Sequence, residues 1–213
     1  MKIKVCGLKY QDNIKAVAGL APDYMGFICY GRSPRYVDDL SAIKWKDLPA
    51  SILKTAVFVD ESEEKINLLI NDFGFNAIQL HGSERPDFAA LFKGRVIVIK
   101  AFGLDNNFDF NQLNNYAGKV DYFLFDTKTE IHGGSGKTFN WDLLDQYKLN
   151  VPFFLSGGLS LDNLEEVIKI THPQFYGVDL NSRFETAPGM KDIEKLKQAF
   201  NLVKQHTTHE IRS

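Results

Sequence analysis

No run of apolar residues in this 213-residue chain approaches the ~18 that a membrane-spanning helix needs, and the opening Met1-Lys2-Ile3-Lys4 lacks the apolar core of a secretory signal. The chain is therefore expected to be cytoplasmic, with no membrane partner. Cysteine is scarce. Cys6 and Cys29 are too few for a disulfide scaffold, and a reducing compartment would keep both as thiols. Charge of one sign is not in excess either: 25 basic against 27 acidic residues leave a formal net of -2. No broad field recruits nucleic acid, so any anion site has to be local. A nucleotide P-loop is missing too. The stretch Gly133-Gly134-Ser135-Gly136-Lys137-Thr138 would need glycine five positions before Gly136, where the residue is Ile131. We read that stretch as a loop closing over a substrate.

What the chain does have is a repeat. Short β-rich runs occur at 2–6, 24–29, 53–59, 77–80, 95–101, 121–125, 152–155 and 175–180. Most are apolar without strict polar alternation, as parallel strands covered on both faces are. Amphipathic segments lie between them. In 61–73 the residues Ile66, Leu69, Ile70 and Phe73 fall at helical spacing, and in 161–170 Leu164, Val167 and Ile168 do. Ser160 or Asp162 is expected to cap the seventh helix, Pro86 to open the fourth, and Gly74 and Gly94 to end the third and fourth. The segments 41–48 and 106–116 have the weakest helical patterns, the first being short and the second rich in asparagine. Successive strand ends are 21 to 31 residues apart, one β/α unit each. Eight units in a row predict an α/β fold, a closed (β/α)₈ TIM barrel forming one catalytic domain over 1–213, with an open doubly wound sheet as the competing architecture.

In a closed barrel the chemistry sits at the C-terminal strand ends. Those ends carry Cys6, Arg35, His81, Asp126, the pair Gly157-Gly158, Asp179, and Asn181-Ser182. The glycines after strand seven and Asn181-Ser182 after strand eight are placed to turn backbone N–H groups toward a phosphate, although the glycines alone would also serve a plain turn. Lys4 shares a strand face with Cys6. If that face points inward, the lysine lies beneath the thiol, pairs with Asp179 on the neighbouring eighth strand, and lowers the thiol pKa from its ordinary ~8.5. The alternative is a chemically idle cysteine acting as a small hydrophobe. Asp126 follows an apolar run, so its carboxyl is expected to be partly desolvated and poised as a proton donor, or else to cap the next turn. Arg35 can offer two prongs to a carboxylate or stand in solvent. His81 can bind substrate or satisfy its own backbone. Together these residues suit an enzyme acting on a small phosphorylated sugar.

The same residues carry a resemblance. Lys4-Val5-Cys6-Gly7-Leu8, Gly26-Phe27-Ile28 with Ser33-Pro34-Arg35-Tyr36, Gln79-Leu80-His81-Gly82, Asp126, the segment 133–141, Ser156-Gly157-Gly158-Leu159, and Gly177-Val178-Asp179 through Glu185 to Pro188-Gly189 stand in the order of the phosphoribosylanthranilate isomerase family of tryptophan biosynthesis. The chain resembles that family from first strand to last. The resemblance implies an Amadori rearrangement with Cys6 as general base and Asp126 as general acid. It also implies Arg35 on the anthranilate carboxylate, His81 and Asp179 at the substrate, and Gly157, Gly158, Asn181 and Ser182 on the phosphate. No metal or organic cofactor is implied, and monomer and homodimer both stay open. Lys9, Ser156 and Arg183 depart from the family's usual threonine, alanine and glycine; Arg183 would be either a phosphate ligand or an outward-facing residue. The rivals are the related isomerase of histidine biosynthesis, against which Cys6 in place of aspartate argues, and a catalytically silent phosphosugar-binding barrel.

Overall fold

Strands that are apolar on both faces need a partner on each edge and cover on each side, and closing the sheet on itself while wrapping it outside meets both needs. The structure, a computed structural model, describes residues 1–127 and 141–210; the stretch Gly133 to Thr138 lies outside the described residues. Eight parallel strands form a closed barrel in chain order: β1 (Lys2–Val5), β2 (Tyr24–Ile28), β3 (Leu53–Phe58), β4 (Ala77–Leu80), β5 (Ile97–Leu104), β6 (Tyr122–Thr127), β7 (Phe153–Ser156) and β8 (Phe175–Leu180). The open-sheet alternative is excluded by β1 pairing with β8, Lys4 opposite Asp179. Two strand ends differ from the sequence reading by more than one residue. β5 runs on to Leu104, so Phe102 is within the strand, and β6 runs on to Thr127, so Asp126 is held in the ladder opposite Gly103 and Ser156.

Side chains alternate between two buried layers. One set of strand residues, including Ile3, Val5, Phe27, Val98 and Phe123, packs with the helix residues Ile14, Ile66, Leu164 and Leu196. The other set forms a smaller cluster of Tyr24, Ile99, Ala101, Leu124 and Phe154 inside the barrel. Above it the interior turns polar, with Lys4, Thr55, Gln79, Ser156 and Asp179 all buried. The barrel floor is an apolar plug and its mouth is a polar bowl.

The outer layer is less helical than the repeat predicts. The α-helices are α1 (Gln11–Ala18), α2 (Glu63–Phe73), α3 (Pro86–Ala90), α4 (Leu164–Val167) and α5 (Ile193–Glu210). After β2, β5 and β6 the described chain makes only 3₁₀ turns, at Leu40–Ala42, Trp45–Asp47, Phe110–Tyr116 and Trp141–Gln146. Local side-chain bonds explain the weakest of these: Asp109 accepts from Asn111 N, and Asn114 donates to Asn111 O, each offering the backbone a substitute for a helical bond. α2 matches expectation, capped by Ser62 accepting from Lys65 N and ended by Gly74 in the left-handed region. α4 is shorter than 161–170, and neither Ser160 nor Asp162 caps it. Ser160 Oγ is turned instead to the Asp162 backbone N–H.

One insertion bears on the site. Between β8 and α5 the chain makes a short 3₁₀ turn (Ser182–Phe184) and an antiparallel hairpin, β9 (Glu185–Ala187) with β10 (Met190–Lys191). Asn13 on α1 pins this hairpin, donating to Lys191 O at 2.9 Å and accepting from Lys191 N at 2.7 Å. Among the described residues no helix is long and apolar enough to cross a membrane.

Candidate active site

The C-terminal ends of the strands enclose a cavity of about 650 Å³. His81 lines it from the end of β4, Gly103 from β5, Asp126 from β6, Ser156 to Leu159 from β7 and its turn, Asp179 from β8, and Asn181 and Ser182 from the turn beyond. Seven of the residues singled out from the sequence thus share one cavity. Cys6 and Arg35 are beside it rather than on its wall.

On one side Asp126 faces His81, Oδ2 to Nε2 at 3.4 Å. The other imidazole nitrogen, Nδ1, is 2.7 Å from the Gln79 side-chain nitrogen, so His81 is oriented by a neighbouring side chain and not by its own backbone. The Asp126 carboxyl is 38% exposed. It is thus partly buried: the strand's apolar side chains fill the layers below while the carboxyl projects into the bowl.

The loop under His81 has its own anchor. Lys100, on the outward face of β5, buries its ammonium among the carbonyls of Leu80, Gly82 and Ala101 and the carboxylate of Glu84 at 3.0 Å. Glu84 in turn accepts from the backbone N–H groups of Asp60 and Gly82.

Next to Asp126, in the turn after the neighbouring β7, Gly157 and Gly158 both adopt positive φ, +85° and +62°, a turn that other residues reach only with strain. They and Asn181-Ser182 face the same cavity. Arg183 is exposed and absent from its wall.

Lys4 lies inside the barrel as expected, fully buried, its ammonium 3.0 Å from Asp179 Oδ2. Burial works against that charge, but Asp179 and the nearby thiol outweigh it and hold the ammonium above its ordinary value. Asp179 is thus committed to Lys4 through one oxygen, while Oδ1 is buried without a hydrogen-bond partner.

Cys6 overturns one expectation. It is buried, its Sγ lying where a side chain on Gly26 of β2 would collide with it at 2.6 Å. That burial pushes the thiol pKa up, and the opposing pull of Lys4 and Lys191 does not reverse it. The ammonium beneath the thiol pulls its pKa down as predicted, but burial outweighs that pull and the net shift is upward. The sequence shows the charge nearby but not the depth at which the sulfur sits.

Arg35 is held rather than solvated. Its loop is tied back to β2 by Val37 N donating to Ile28 O and braced within itself by Ser33 Oγ accepting from Arg35 N. The guanidinium forks onto Glu185, with Nε at 2.9 and 3.0 Å from the two carboxylate oxygens and Nη2 at 2.7 Å. Lys191, wholly buried, reaches the same carboxylate at 2.6 Å and Asn181 Oδ1 at 2.8 Å. Burial pushes the Glu185 carboxyl up, but Arg35 and Lys191 together outweigh it and leave it below its usual value. The two prongs predicted for a ligand carboxylate are thus taken up by an internal one, leaving Nη1 outside these bonds.

Gly7 lets these groups meet. At φ +77° it has no side chain where Arg35 Cδ and Asn181 Oδ1 would each be 2.7 Å from a Cβ. Gln79, Glu185 and Lys191 were not singled out from the sequence as site residues. The one available signal was a pair of charged residues in the glycine-bearing segment after strand eight.

A family described as N-(5'phosphoribosyl)anthranilate (PRA) isomerase matches residues 3–202. An N-(5'-phosphoribosyl)anthranilate isomerase of Parabacteroides distasonis is 45% identical over 202 residues, covering 92% of this chain and 90% of that one. Among solved structures, the phosphoribosyl anthranilate isomerase of Thermotoga maritima superposes with a TM-score of 0.80 at 33% identity, covering 96% of this chain and 99% of that one. A phosphoribosyl anthranilate isomerase in complex with reduced 1-(o-carboxyphenylamino)-1-deoxyribulose 5-phosphate gives 0.77 at 29% identity, covering 96% and 99%.

Proposed function

Because the chain belongs to the N-(5'-phosphoribosyl)anthranilate isomerase family, and is accordingly an isomerase of tryptophan biosynthesis, we propose that its own residues divide the rearrangement between Asp126 as general acid and Cys6 as general base. Asp126 protonates the ribose ring oxygen of N-(5'-phosphoribosyl)anthranilate, and the ring opens to a Schiff base. Cys6 thiolate then takes the proton from C2', and the resulting enolamine tautomerises to 1-(2-carboxyphenylamino)-1-deoxyribulose 5-phosphate. The observation that carries this division is the convergence on one cavity of a carboxyl at the end of β6 and a glycine-rich turn at the end of the neighbouring β7, with the thiol at the end of β1 next to the wall.

The phosphate is assigned to Gly157, Gly158, Asn181 and Ser182, and His81 orients Asp126 and the substrate hydroxyls. The anthranilate carboxylate approaches the Nη1 side of Arg35, since Nε and Nη2 are occupied. Cys6 is buried, so its sulfur meets the C2' proton only when the groups that bury it shift. Positioned proton transfer contributes about 10² to 10⁴ in rate at each step.

The test is turnover of phosphoribosylanthranilate, followed by loss of its fluorescence, in Cys6→Ser and Asp126→Asn. Turnover is expected to fall by about 10² or more in each, with an unchanged circular dichroism spectrum. Near-normal turnover in a folded variant removes that residue from its role.

A further inference from the structure

Counting charges around Cys6 separates its two lysines. Lys4 is matched one-to-one by Asp179, with both side chains buried. The two act on the sulfur with opposite signs, and each needs the other to stay ionised in a buried site. Lys191 is different. The carboxylate it binds, Glu185, is shared with Arg35, so two cations stand against one anion. If Lys191 were removed, Glu185 would keep its charge on Arg35.

Lys191 is also placed to act on Cys6. Its ammonium holds Asn181 Oδ1, which packs against Gly7, the residue after Cys6. The Cys6 N–H donates to Leu180 O, immediately before Asn181. The ammonium is wholly buried, so water screens it little. The charged groups facing the thiol are Lys4 from its own strand, Asp179 from β8 and Lys191 from β10. Those facing Lys191 are Glu185, Cys6 and Arg35.

We propose that Lys191 is the positioning residue of Cys6: fixed by Glu185 and Asn181 against the end of β1, it supplies the uncompensated positive charge that a thiolate needs there, whereas the Lys4–Asp179 pair cancels itself. With Cys6 ionised, the three cations Arg35, Lys4 and Lys191 meet the three anions Asp179, Glu185 and the thiolate. With the thiol protonated, one buried positive charge is left over. Ionising the sulfur neutralises the cluster, and this offsets part of the burial that resists it. The significance of Lys191 for turnover rests on the reading of Cys6 as the base.

The experiment is the pH dependence of Cys6 alkylation by iodoacetamide in a Cys29→Ser background, with Lys191→Met, Lys191→Arg and Lys4→Met compared. Lys191→Met should raise the midpoint by about one pH unit or more, the scale of one lost neighbouring charge. Lys191→Arg, which keeps the charge, should return it to the parent value. Lys4→Met should move it less, because Asp179 takes up a proton when its lysine is gone. If Lys191→Met does not fold, Lys191→Gln, which can still donate to Glu185 and Asn181 without a charge, carries the same expectation. A parent-like midpoint in the charge-free variants, failure of Lys191→Arg to restore it, or a Lys4→Met shift as large as theirs overturns the proposal. Alkylation needs no substrate, so a shifted midpoint alongside an active Cys6→Ser enzyme would discard the base assignment and keep the electrostatic one.

Discussion

Arg35 and Glu185, 150 residues apart in sequence, meet through three hydrogen bonds of 2.7 to 3.0 Å, with the carboxylate almost wholly buried and the guanidinium at 20% exposure. This contact aims the arginine before any ligand arrives. Glu185→Gln keeps the shape but gives up one charged oxygen, so Arg35 loses its fixed direction. The expected result is a KM for phosphoribosylanthranilate about tenfold higher, equivalent to about 1.4 kcal/mol, with a smaller change in kcat. Steady-state kinetics checks this, and an unchanged KM would show that Arg35 does not need its partner.

The same carboxylate gives a pH signature in stability. Its folded pKa lies below the usual value, so its contribution is complete above the unfolded value of ~4.3 and is lost as pH falls through the folded one. Urea unfolding of wild type and Glu185→Gln should therefore show a gap at pH 6 that narrows by pH 3. A gap that widens on acidification contradicts the sign.

The raised Cys6 thiol sets the pH at which its thiolate forms. Asp126 acts protonated and Cys6 deprotonated, so turnover mixes the two ionisations, whereas alkylation by iodoacetamide follows the sulfur alone. In a Cys29→Ser background the rate of Cys6 alkylation should still be climbing above pH ~8.5, the ordinary thiol value, because burial moves the ionisation upward. A plateau already reached at pH 7.5 would mean that the sulfur ionises far more readily than its burial allows.

Gly7→Ala tests the crossing point of the site. Alanine at φ +77° is strained, and its methyl would press on Arg35 and Asn181. A loss of about 1 to 3 kcal/mol is expected from the backbone alone. Urea unfolding measures the loss, and KM should rise with it because the displaced groups are site residues.

Lys100→Met tests the anchor beneath His81. It leaves the Glu84 carboxylate buried with its lysine gone, the two side chains being 2% exposed in the pair. Breaking such a pair costs about 3 to 5 kcal/mol. Thermal or urea denaturation should show this, and a loss below 1 kcal/mol would mean that Glu84 finds water or another donor.

The barrel was legible from the chain because its cause is local: eight apolar runs at one-unit spacing leave parallel strands few ways to be covered. The outer helices were less so. Where Asn and Asp side chains bond their own backbone, as at Asp109 and Asn114, amphipathic spacing does not decide between a helix and a 3₁₀ turn.

The sequence by itself determined the eight β/α units and which reactive groups stand at or near the strand ends, among them Cys6, His81, Asp126 and Asp179, since the spacing of the apolar runs sets those positions. Only the closed barrel decided that Glu185 and Lys191 would reach Arg35 and Asn181 beside Cys6, because joining β8 to β1 brings chain ends together that no local pattern relates. It also decided the direction of the Cys6 shift. Desolvation and neighbouring charge oppose each other there, and their balance depends on depth and distance, which a linear chain does not contain.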